Sequence, residues 1–413
     1  MPVFSITARD PGSRARAGVL ETAHGTVRTP AFVPLATKAT VKGLLPEELA
    51  ALGYELLLGN TFHLLLNPGP ELIDRLGGLG AFMGWPGPTI TDSGGFQVFS
   101  MGHGTVADEI KGRNRGHPGE REGAILQIDE SGVRFRSYVD GRERFLSPES
   151  AMAVQAALGS DIALVFDECT PYHVDRAYTQ ESTERTHRWL ERCLRWHAEH
   201  AGERPSAQLV YGIVQGGVHE DLRRESAETV AASACDGIAI GGSLGAEKAQ
   251  MHEVVAWTTS TLDGADRGQR PRHLLGIGEV EDLIACVELG IDTFDCAIPT
   301  RLGRHGTALV PDAAARFRLD LTKAASRTAS EPLLEGCPCP ACAKGLSRAY
   351  LSYLVRAREL TGMRLVTMHN LAFLAHLMGD LREGIRDGRL AEVAAGWRAG
   401  QLPRGFHPKR AIF

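Results

Sequence analysis

The hydrophobic positions of the chain form short apolar runs that are separated by longer amphipathic stretches. Eight such runs lie between residues 29 and 299, at 29–35, 54–59, 88–92, 161–167, 208–215, 236–242, 273–278 and 291–298. Helix-like segments lie between most of them, including 46–52, 148–158, 182–200 and 279–289. Eight strands that each lead into a crossover are typical of a (β/α)8 TIM barrel, so we predict this α/β fold. A doubly wound open sheet is the alternative, but it has no particular reason to stop at eight strands.

Three regions depart from this alternation. Residues 17–30 read as a hairpin with His24-Gly25 at its turn, which would cap the barrel floor. The polar, glycine-rich stretch 102–123 reads as a long loop after the third strand. Beyond residue 300 a cysteine-rich segment is followed by two helical runs, 347–360 and 370–385. We therefore expect the barrel in residues 1–300, and its last crossover, a zinc-binding subdomain and basic helices in residues 301–413.

The composition limits the class of protein. The chain has 413 residues, of which 43% are hydrophobic, so it is not a disordered protein. No stretch approaches the roughly 18 apolar residues of a membrane span, and the first residues do not resemble a signal peptide. We therefore expect a cytoplasmic protein without a membrane partner, in which clustered cysteines bind metal and do not form disulfides.

The net charge of −5 hides an asymmetry along the chain. Residues 301–413 contain 18 Lys and Arg against 9 Asp and Glu, which leaves 27 against 41 in residues 1–300. A basic end of this size either binds a polyanion such as RNA or is a solvated helical surface, and charge alone does not separate the two.

The strongest local motif is a cysteine cluster near the C-terminus. Cys337, Cys339 and Cys342 lie within six residues, and His369 follows at the expected start of a helix. Three thiolates and one imidazole can hold a tetrahedral ion with no open position, so we predict one structural Zn²⁺. His376 is an alternative fourth ligand. Most of the other five cysteines are interpreted as small core residues.

A second set of polar residues follows the predicted strands. Asp92, Asp167, Gln215, the pair Gly241-Gly242 and Asp295 each stand at a strand's C-terminal end, the rim where barrel enzymes keep their chemistry. Each alone would more often be a helix cap, but five on one rim favour a functional site. Two carboxylates, one nucleophilic and one carrying a proton, suit substitution at an anomeric carbon.

The residues beside these carboxylates point to a nucleotide. The turn from Asp92 to Phe96 contains two glycines that let a planar ligand approach the backbone, and Phe96 could stack on it. Arg301 and Arg304 follow Asp295 closely, and arginine pairs bind phosphate well. The alternative for these arginines is ordinary surface solvation.

At this point the sequence resembles the tRNA-guanine transglycosylase family (queuine tRNA-ribosyltransferase) in its bacterial form. The matching segments run in family order over nearly the whole chain: 91–100, 166–172, 215–217, 239–242, 275–283, 290–304, 337–342, 347–351 and 369–378. The resemblance implies replacement of guanine at the wobble position of a tRNA anticodon by a 7-deazaguanine base, in queuosine biosynthesis. It also implies a homodimer.

The resemblance assigns a role to each matching residue. Asp295 would be the nucleophile that attacks ribose C1′ and holds the tRNA covalently, and Asp92 would accept the proton of the incoming base. The base would be bound by Asp92, Ser93, Gly94, Gly95, Phe96, Asp167, Gln215 and Gly242. RNA around the wobble nucleotide would contact Gly276, Ile277, Gly278, Glu279, Val280, Glu281, Asp282, Thr300, Arg301, Leu302, Gly303 and Arg304.

The sequence departs from the usual bacterial pattern at three places. Gly245 stands where a valine is usual, and Leu275 where a methionine is usual, although Cys169 keeps the bacterial identity. We therefore hypothesise that the pocket accepts a 7-substituent larger than aminomethyl, such as that of queuine. The third departure is the long 102–123 loop, which we expect to flank the RNA or cover the pocket.

Three other functions are alternatives. A non-catalytic RNA-binding zinc subunit would be expected to lack one of the two aspartates, and both Asp92 and Asp295 are present. A related transglycosylase acting on DNA is disfavoured by the 300–304 stretch and the intact zinc segment. A metal-dependent hydrolase is disfavoured because no His-x-His pair ends a predicted strand.

Overall fold

The computed structural model describes residues 3–103, 125–171, 173–203, 207–266 and 268–402. Apart from its first two residues, which end a helix, the predicted 102–123 loop lies outside the described residues. No helix among the described residues is long and apolar enough to cross a membrane.

The strands belong to four sheets. In chain order they are β1 (Phe4–Arg9), β2 (Arg16–Thr22), β3 (Gly25–Thr29), β4 (Ala31–Val33), β5 (Leu35–Ala36), β6 (Leu57–Gly59), β7 (Thr89–Thr91), β8 (Ile125–Asp129), β9 (Gly132–Arg136), β10 (Glu143–Leu146), β11 (Ile162–Leu164), β12 (Leu209–Val214), β13 (Gly237–Ile240), β14 (Arg272–Leu274), β15 (Thr293–Asp295), β16 (Thr307–Leu309) and β17 (Arg318–Asp320).

The main sheet is a parallel barrel, as the sequence predicts. Its order is β4-β15-β14-β13-β12-β11-β7-β6-β5. β4 and β5 are two parts of one extended segment interrupted at Pro34, so this segment pairs with β15 on one side and with β6 on the other. All eight apolar runs therefore form barrel strands, and every residue of β6, β7 and β11 is buried.

The helices lie mostly between the barrel strands and after the last of them. They are α1 (Pro46–Ala51), α2 (Thr61–Leu66), α3 (Pro70–Arg75), α4 (Gly78–Met83), α5 (Gly95–His103), α6 (Pro148–Leu158), α7 (Arg176–Glu199), α8 (Glu220–Ala232), α9 (Lys248–Ala265), α10 (Val280–Glu288), α11 (Ile298–Arg304), α12 (Pro340–Ala343), α13 (Arg348–Arg356), α14 (Leu360–Arg386) and α15 (Leu390–Arg398), with 3-10 turns at Ala201–Glu203 and Ala324–Arg327.

Local capping explains where two of the crossover helices begin. The Ser147 side chain accepts a hydrogen bond from the Ser150 N–H at the start of α6, which also has proline in its first turn. Asp175 accepts from the Tyr178 N–H at the start of α7. Both helices carry the apolar positions that the sequence pattern predicts for barrel crossovers.

The predicted hairpin forms as β2 and β3, and β1 pairs with β2 as a third strand. Arg16 of β2 binds Asp292, the residue before β15, through two hydrogen bonds of 2.9 and 2.6 Å, and both side chains are buried. The Asp161 carboxylate, just before β11, accepts from the His24 N–H. Since both aspartates precede barrel strands, the hairpin lies at the floor of the barrel, opposite the rim at which the strands end.

Two sheets were not predicted from the sequence. β8, β9 and β10 form an antiparallel sheet between α5 and α6, and β16 pairs with β17 after α11. β9 alternates exposed arginines with buried apolar residues, which is a strand pattern that the sequence analysis missed, whereas β10 is exposed except for Leu146.

The long helix α14 joins the barrel to the C-terminal segment. It packs against β4 and α11, and its buried residues share one hydrophobic core with Phe294 and Trp397. The expectation that His369 begins a helix is wrong, because α14 starts at Leu360 and places His369 in its third turn. Gly362 does not break this helix, and a side chain there would press on Leu354 of α13 at 2.6 Å.

Candidate active site and metal-binding cluster

The polar residues predicted at strand ends lie at one rim. Asp92 directly follows β7, Gln215 follows β12, Gly241 follows β13, and Asp295 is the last residue of β15. Asp167 comes three residues after β11. Because the carboxyl ends of parallel barrel strands meet at one face, these residues surround a common mouth.

Three hydrogen-bond donors, from the end of β6 and from helices α2 and α5, hold the Asp92 carboxylate. The Thr61 N–H donates to Oδ1 at 2.9 Å, and the side-chain amides of Asn60 and Gln97 donate to Oδ2. Burial raises the pKa of Asp92 to about 7; the Thr61 N–H opposes this rise and the Asp295 carboxylate adds to it. Asp92 therefore binds or releases a proton close to neutral pH.

A second carboxylate, Asp167, lies in a hydrogen-bonded group with Ser93 and Gln215. The Ser93 hydroxyl donates to Oδ1 at 2.9 Å, and the Gln215 amide donates to Oδ2 at 2.6 Å. All three side chains are buried. Burial raises the pKa of Asp167 to about 6, and the two hydrogen bonds limit the rise. A carboxylate beside an amide presents both acceptors and donors to a ligand that enters the mouth.

Glycine is required at several positions around this group. Gly94 has φ +81°, and a Cβ on Gly95 would lie 2.6 Å from the Asp167 carbonyl oxygen. Gly242 has φ +76°, and a Cβ there would lie 2.2 Å from the Gln215 side-chain oxygen. These glycines let the backbone approach the carboxylate and amide closely. Phe96, in the first turn of α5, is only partly buried and remains available to a ligand.

Asp295 lies at the end of β15 with only 7% of its surface exposed. Its Oδ1 atom accepts from the Gly276 N–H at 3.2 Å, and the His273 Nε2 atom lies 3.2 Å from the same oxygen. Asp92 and Asp295 are near enough for one charge to affect the pKa of the other. The site thus contains two carboxylates, one of which has a pKa near 7, at the mouth of one barrel.

The residues predicted to contact RNA divide into two groups in the structure. Gly278, Val280, Asp282, Thr300 and Gly303 are buried. Asp282 lies within 3.3 Å of Lys248 and His252, and a Cβ on Gly303 would lie 2.6 Å from the backbone of α14. The remaining residues of the two predicted stretches are partly or fully exposed, namely Gly276, Ile277, Glu279, Glu281, Arg301, Leu302 and Arg304.

Arg301 and Arg304 lie on the same helix, α11, directly after the Asp295 strand. Neither forms an ion pair with a carboxylate in the described part of the chain, and burial together with the Arg301 charge lowers the pKa of Arg304. Two uncompensated guanidiniums beside the rim are suited to an anionic ligand.

The sequence did not identify several residues that hold the site. Asn60 follows the second barrel strand, so the rule that selected Asp92 and Gln215 would have selected it too. Arg223, in the first turn of α8, is fully buried and donates to backbone carbonyls at the ends of β12 and β13, including those of Val214 and Gly241. Burial lowers the pKa of Arg223 to about 9. No sequence signal marks it, because it lies within a helix.

The predicted metal ligands come together in the C-terminal segment. The ligand atoms of Cys337, Cys339, Cys342 and His369 all lie within 4.8 Å of one another. The His369 Nδ1 atom is 3.6, 3.5 and 3.5 Å from the three sulfurs, in that order. A tetrahedral ion with ordinary bond lengths to sulfur and nitrogen separates such ligand atoms by about 3.5 Å, so the cluster fits one metal ion.

Neighbouring groups fix the orientation of this cluster. The His369 Nε2 atom lies 2.8 Å from the Leu309 carbonyl oxygen, which leaves Nδ1 facing the sulfurs. His376 is not the fourth ligand: its Nε2 atom lies 3.6 Å from Asp380, and its ring contacts Trp397. The other five cysteines are all buried, as expected for core residues.

Comparisons with known proteins identify the family. The family profile of queuine tRNA-ribosyltransferase (TGT) matches residues 10–401. A queuine tRNA-ribosyltransferase of Roseiflexus sp. (strain RS-1) is 50% identical over 401 residues, covering 95% of this chain and 98% of the relative. Enzymes of the same name are 44% identical in Symbiobacterium thermophilum, covering 97% of this chain and 93% of the relative, and 45% identical in Thermus thermophilus, covering 98% and 96%. The chain therefore belongs to the queuine tRNA-ribosyltransferase family of pentosyltransferase enzymes.

Proposed function

We propose that this enzyme is a tRNA-guanine transglycosylase that exchanges guanine at the wobble position of a tRNA anticodon for a 7-deazaguanine base. The observation that carries the proposal is the pair of carboxylates, Asp92 and Asp295, at one barrel mouth of a queuine tRNA-ribosyltransferase family member. The pathway served would be queuosine biosynthesis.

The reaction is a double displacement at ribose C1′. A carboxylate oxygen of Asp295 bonds to C1′ as the bond to guanine N9 breaks, and the electron pair leaves with the base. N9 of the incoming base then bonds to C1′ as the bond to Asp295 breaks and the carboxylate is restored. Two inversions give retention at C1′, and no nucleotide cofactor is required.

Asp92 serves as the proton acceptor of the second step. The incoming base must lose its N9 proton as it attacks, and a carboxylate with a pKa of about 7 can take that proton at neutral pH. Its proximity to Asp295 supports this role, because both groups must act on one nucleoside.

Asp167, Gln215 and Ser93 bind the edge of the base. A guanine-like edge carries N–H donors beside a carbonyl acceptor, which match a carboxylate and an amide. Gly94, Gly95 and Gly242 allow close approach, and Phe96 contacts the face of the ring. The target nucleotide must leave its stack to reach this mouth, which is less costly in an anticodon loop than in a duplex.

The exposed residues of the 276–282 and 300–304 stretches contact the RNA around the wobble nucleotide. The two guanidiniums of Arg301 and Arg304 bind phosphates. The buried members of these stretches hold the backbone that presents them.

The metal of the cysteine cluster is one structural Zn²⁺, held by Cys337, Cys339, Cys342 and His369. Sulfur-rich tetrahedral sites favour zinc, and four protein ligands leave no position for a substrate. When bound, the ion fixes the C-terminal segment and takes no part in the chemistry at the rim.

The preferred base is 7-aminomethyl-7-deazaguanine, with queuine as the second candidate because of Gly245. The backbone there has φ +114°, and a Cβ would lie 2.4 Å from the Gln250 side-chain oxygen. The space freed by glycine is therefore occupied by Gln250, whose Oε1 accepts from the Ala246 N–H at 3.2 Å. A larger 7-substituent that enters this space requires movement of Gln250.

The deciding experiment is incubation with labelled guanine and a tRNA that carries guanine at the wobble position. Wild-type enzyme is expected to incorporate label, and Asp295→Asn is expected not to. A DNA hairpin of the same loop sequence tests the alternative DNA-acting enzyme, and absence of exchange by the wild type on both substrates would support a non-catalytic RNA-binding subunit. Sedimentation of the same preparation tests the homodimer that the family resemblance implies, and cell fractionation tests the expected cytoplasmic location.

A further inference from the structure

His273 is a buried histidine in direct contact with the proposed nucleophile. It lies in β14, where it is in register with Thr293 of the neighbouring strand β15. Thr293 and Asp295 are two residues apart on one strand and so face the same side. The imidazole is fully buried, with Nδ1 2.9 Å from the Thr293 hydroxyl and Nε2 3.2 Å from the Asp295 Oδ1 atom.

Among the described residues, the Nε2 atom has no other partner. It forms no well-aligned hydrogen bond with any group in the described chain, although it lies at contact distance from Oδ1. A buried polar nitrogen without a partner is costly. Catalytic hydrogen bonds are often poorly aligned in a free enzyme and improve when substrate is bound, so a small rotation of the carboxylate would complete this one.

The Asp295 carboxylate determines where the imidazole proton resides. An ionised carboxylate only accepts hydrogen bonds, so Nε2 must carry a proton to bind it. The Thr293 hydroxyl can donate to Nδ1, and this arrangement satisfies both nitrogens of a neutral ring.

We propose that His273 is a positioning residue for Asp295. Its Nε2–H and the Gly276 N–H hold Oδ1, and Oδ2 is the oxygen that bonds to ribose C1′; this rests on the proposed function. Within the described chain, no group donates a hydrogen bond to Oδ2, which leaves its electron pairs available.

This arrangement affects the two half-reactions differently. When Oδ2 bonds to C1′, the carboxylate loses its charge and Oδ1 becomes the carbonyl oxygen of an ester. When the incoming base attacks C1′, the electron pair of the Oδ2–C1′ bond returns to the carboxylate. Donors to Oδ1 bind the carboxylate more strongly than the ester, so they favour release of the covalent intermediate.

The experiment measures both half-reactions in His273→Phe and His273→Gln. Phenylalanine keeps a ring without a donor, whereas glutamine can again present an amide N–H to Oδ1. The covalent enzyme–tRNA adduct is followed on denaturing gels after mixing with tRNA, and its decay is followed after addition of guanine. We expect His273→Phe to slow decay by about 10- to 100-fold, as expected for loss of one hydrogen bond to a charged group, and not to slow formation, because the lost donor binds the carboxylate more strongly than the ester. His273→Gln should recover most of the decay rate.

Equal slowing of both steps, or equal rates for the two variants, would overturn the role of His273. Thr293→Val provides a second test if His273→Phe does not fold, since it keeps the volume and removes only the hydroxyl. It should slow decay by about 2- to 10-fold, and unchanged decay would count against the inference. Asp295→Asn separates the two proposals: guanine exchange by that variant refutes the proposed function itself, whereas an inactive Asp295→Asn beside a normal His273→Phe refutes only the positioning role.

Discussion

The barrel rim and the cluster of Cys337, Cys339, Cys342 and His369 arrange the partners of their polar groups in opposite ways. At the rim, Asp92 and Asp295 keep one side toward the barrel mouth, and burial raises the pKa of Asp92 to about 7. In the cluster the four ligand atoms face one another, and the second nitrogen of His369 bonds to a backbone carbonyl. The rim is therefore open to a ligand and to protons, while the ligand atoms of the cluster are directed at one another and able to bind a metal ion.

The two regions also differ in how the fold builds them. Asp92 and Asp295 are brought together by barrel closure over some two hundred residues of chain. The cluster is made from one six-residue segment and one helix, α14, whose buried face belongs to the same core as the barrel strand residue Phe294. The geometry of the rim thus depends on the closed barrel, whereas the cluster is built within the C-terminal segment alone. Activity and stability should consequently be separable by mutation.

The largest expected effect separates the two regions at Asp295. Asp295→Asn keeps the shape of the side chain and removes the proposed nucleophile, so guanine exchange should fall by at least about 1000-fold. The melting temperature and the metal content should stay near wild-type values. Asp74→Asn, an exposed position on α3, makes the same charge change as a control and should retain activity. A variant that lost metal along with activity would show that the regions are coupled.

Substitution of Cys339 is expected to lower metal content and thermal stability, the properties that Asp295→Asn leaves unchanged. The Cys339 sulfur lies 3.5 Å from His369 and accepts from the Cys342 N–H. Cys339→Ala, or a strong chelator on the wild type, should remove the ion and lower the melting temperature by about 10 °C. Metal analysis and thermal denaturation check this. Cys286→Ala is the matched control, because it removes a buried thiol outside the cluster and should leave the metal content unchanged. An unchanged melting temperature after complete metal loss would contradict a structural role.

The raised pKa of Asp92 should be visible in both activity and stability. The proposed proton acceptor must be ionised, so the rate of exchange should rise with pH and level off above about 7. The folded chain holds the Asp92 proton up to about pH 7, and the unfolded chain loses it near pH 4. The free energy of unfolding therefore decreases as pH rises through this window and stays lower above it. Asp92→Asn has no carboxylate to ionise, so its free energy of unfolding should not decrease in this way.

Denaturation at two pH values tests the sign. At pH 8 Asp92→Asn should be more stable than wild type by about 4 kcal/mol, and at pH 4 the difference should vanish. The same variant should be inactive at both values. Greater stability of the variant at pH 4 than at pH 8 would show that burial does not raise the pKa of Asp92.

The sequence predicted the polar residues of the rim better than the residues that hold them in place. Eight apolar runs predicted the barrel, and the strand-end rule placed Asp92, Asp167, Gln215 and Asp295 on one face, because parallel strands leave no other arrangement. Asn60 was missed although it obeys the same rule. His273 could not be found in this way, since it lies inside a strand and its contact with Asp295 depends on the register between β14 and β15.

The C-terminal segment shows the limit of local patterns. The spacing of the three cysteines was sufficient to predict the cluster, and the structure places His369 with them in one group able to bind a metal. The start of α14 was placed about ten residues too late: the helix begins at Leu360, and Gly362 in its first turn packs closely against Leu354 of α13. Tertiary contact between helices, which sequence periodicity does not show, determined this boundary.

The smallest expected effect concerns the shape of the rim pocket. Gln250→Ala removes the side chain that occupies the space beside Gly245, so a bulky 7-substituent should be accepted more readily. We expect kcat/KM for queuine to rise about 10-fold relative to 7-aminomethyl-7-deazaguanine, the lower end of what a change in pocket volume produces. Gln180→Ala, at an exposed position on α7, is the matched control. If the ratio does not change in Gln250→Ala, the glycine does not enlarge the pocket, and the preference of the rim for its base is set by Asp167 and Gln215 instead.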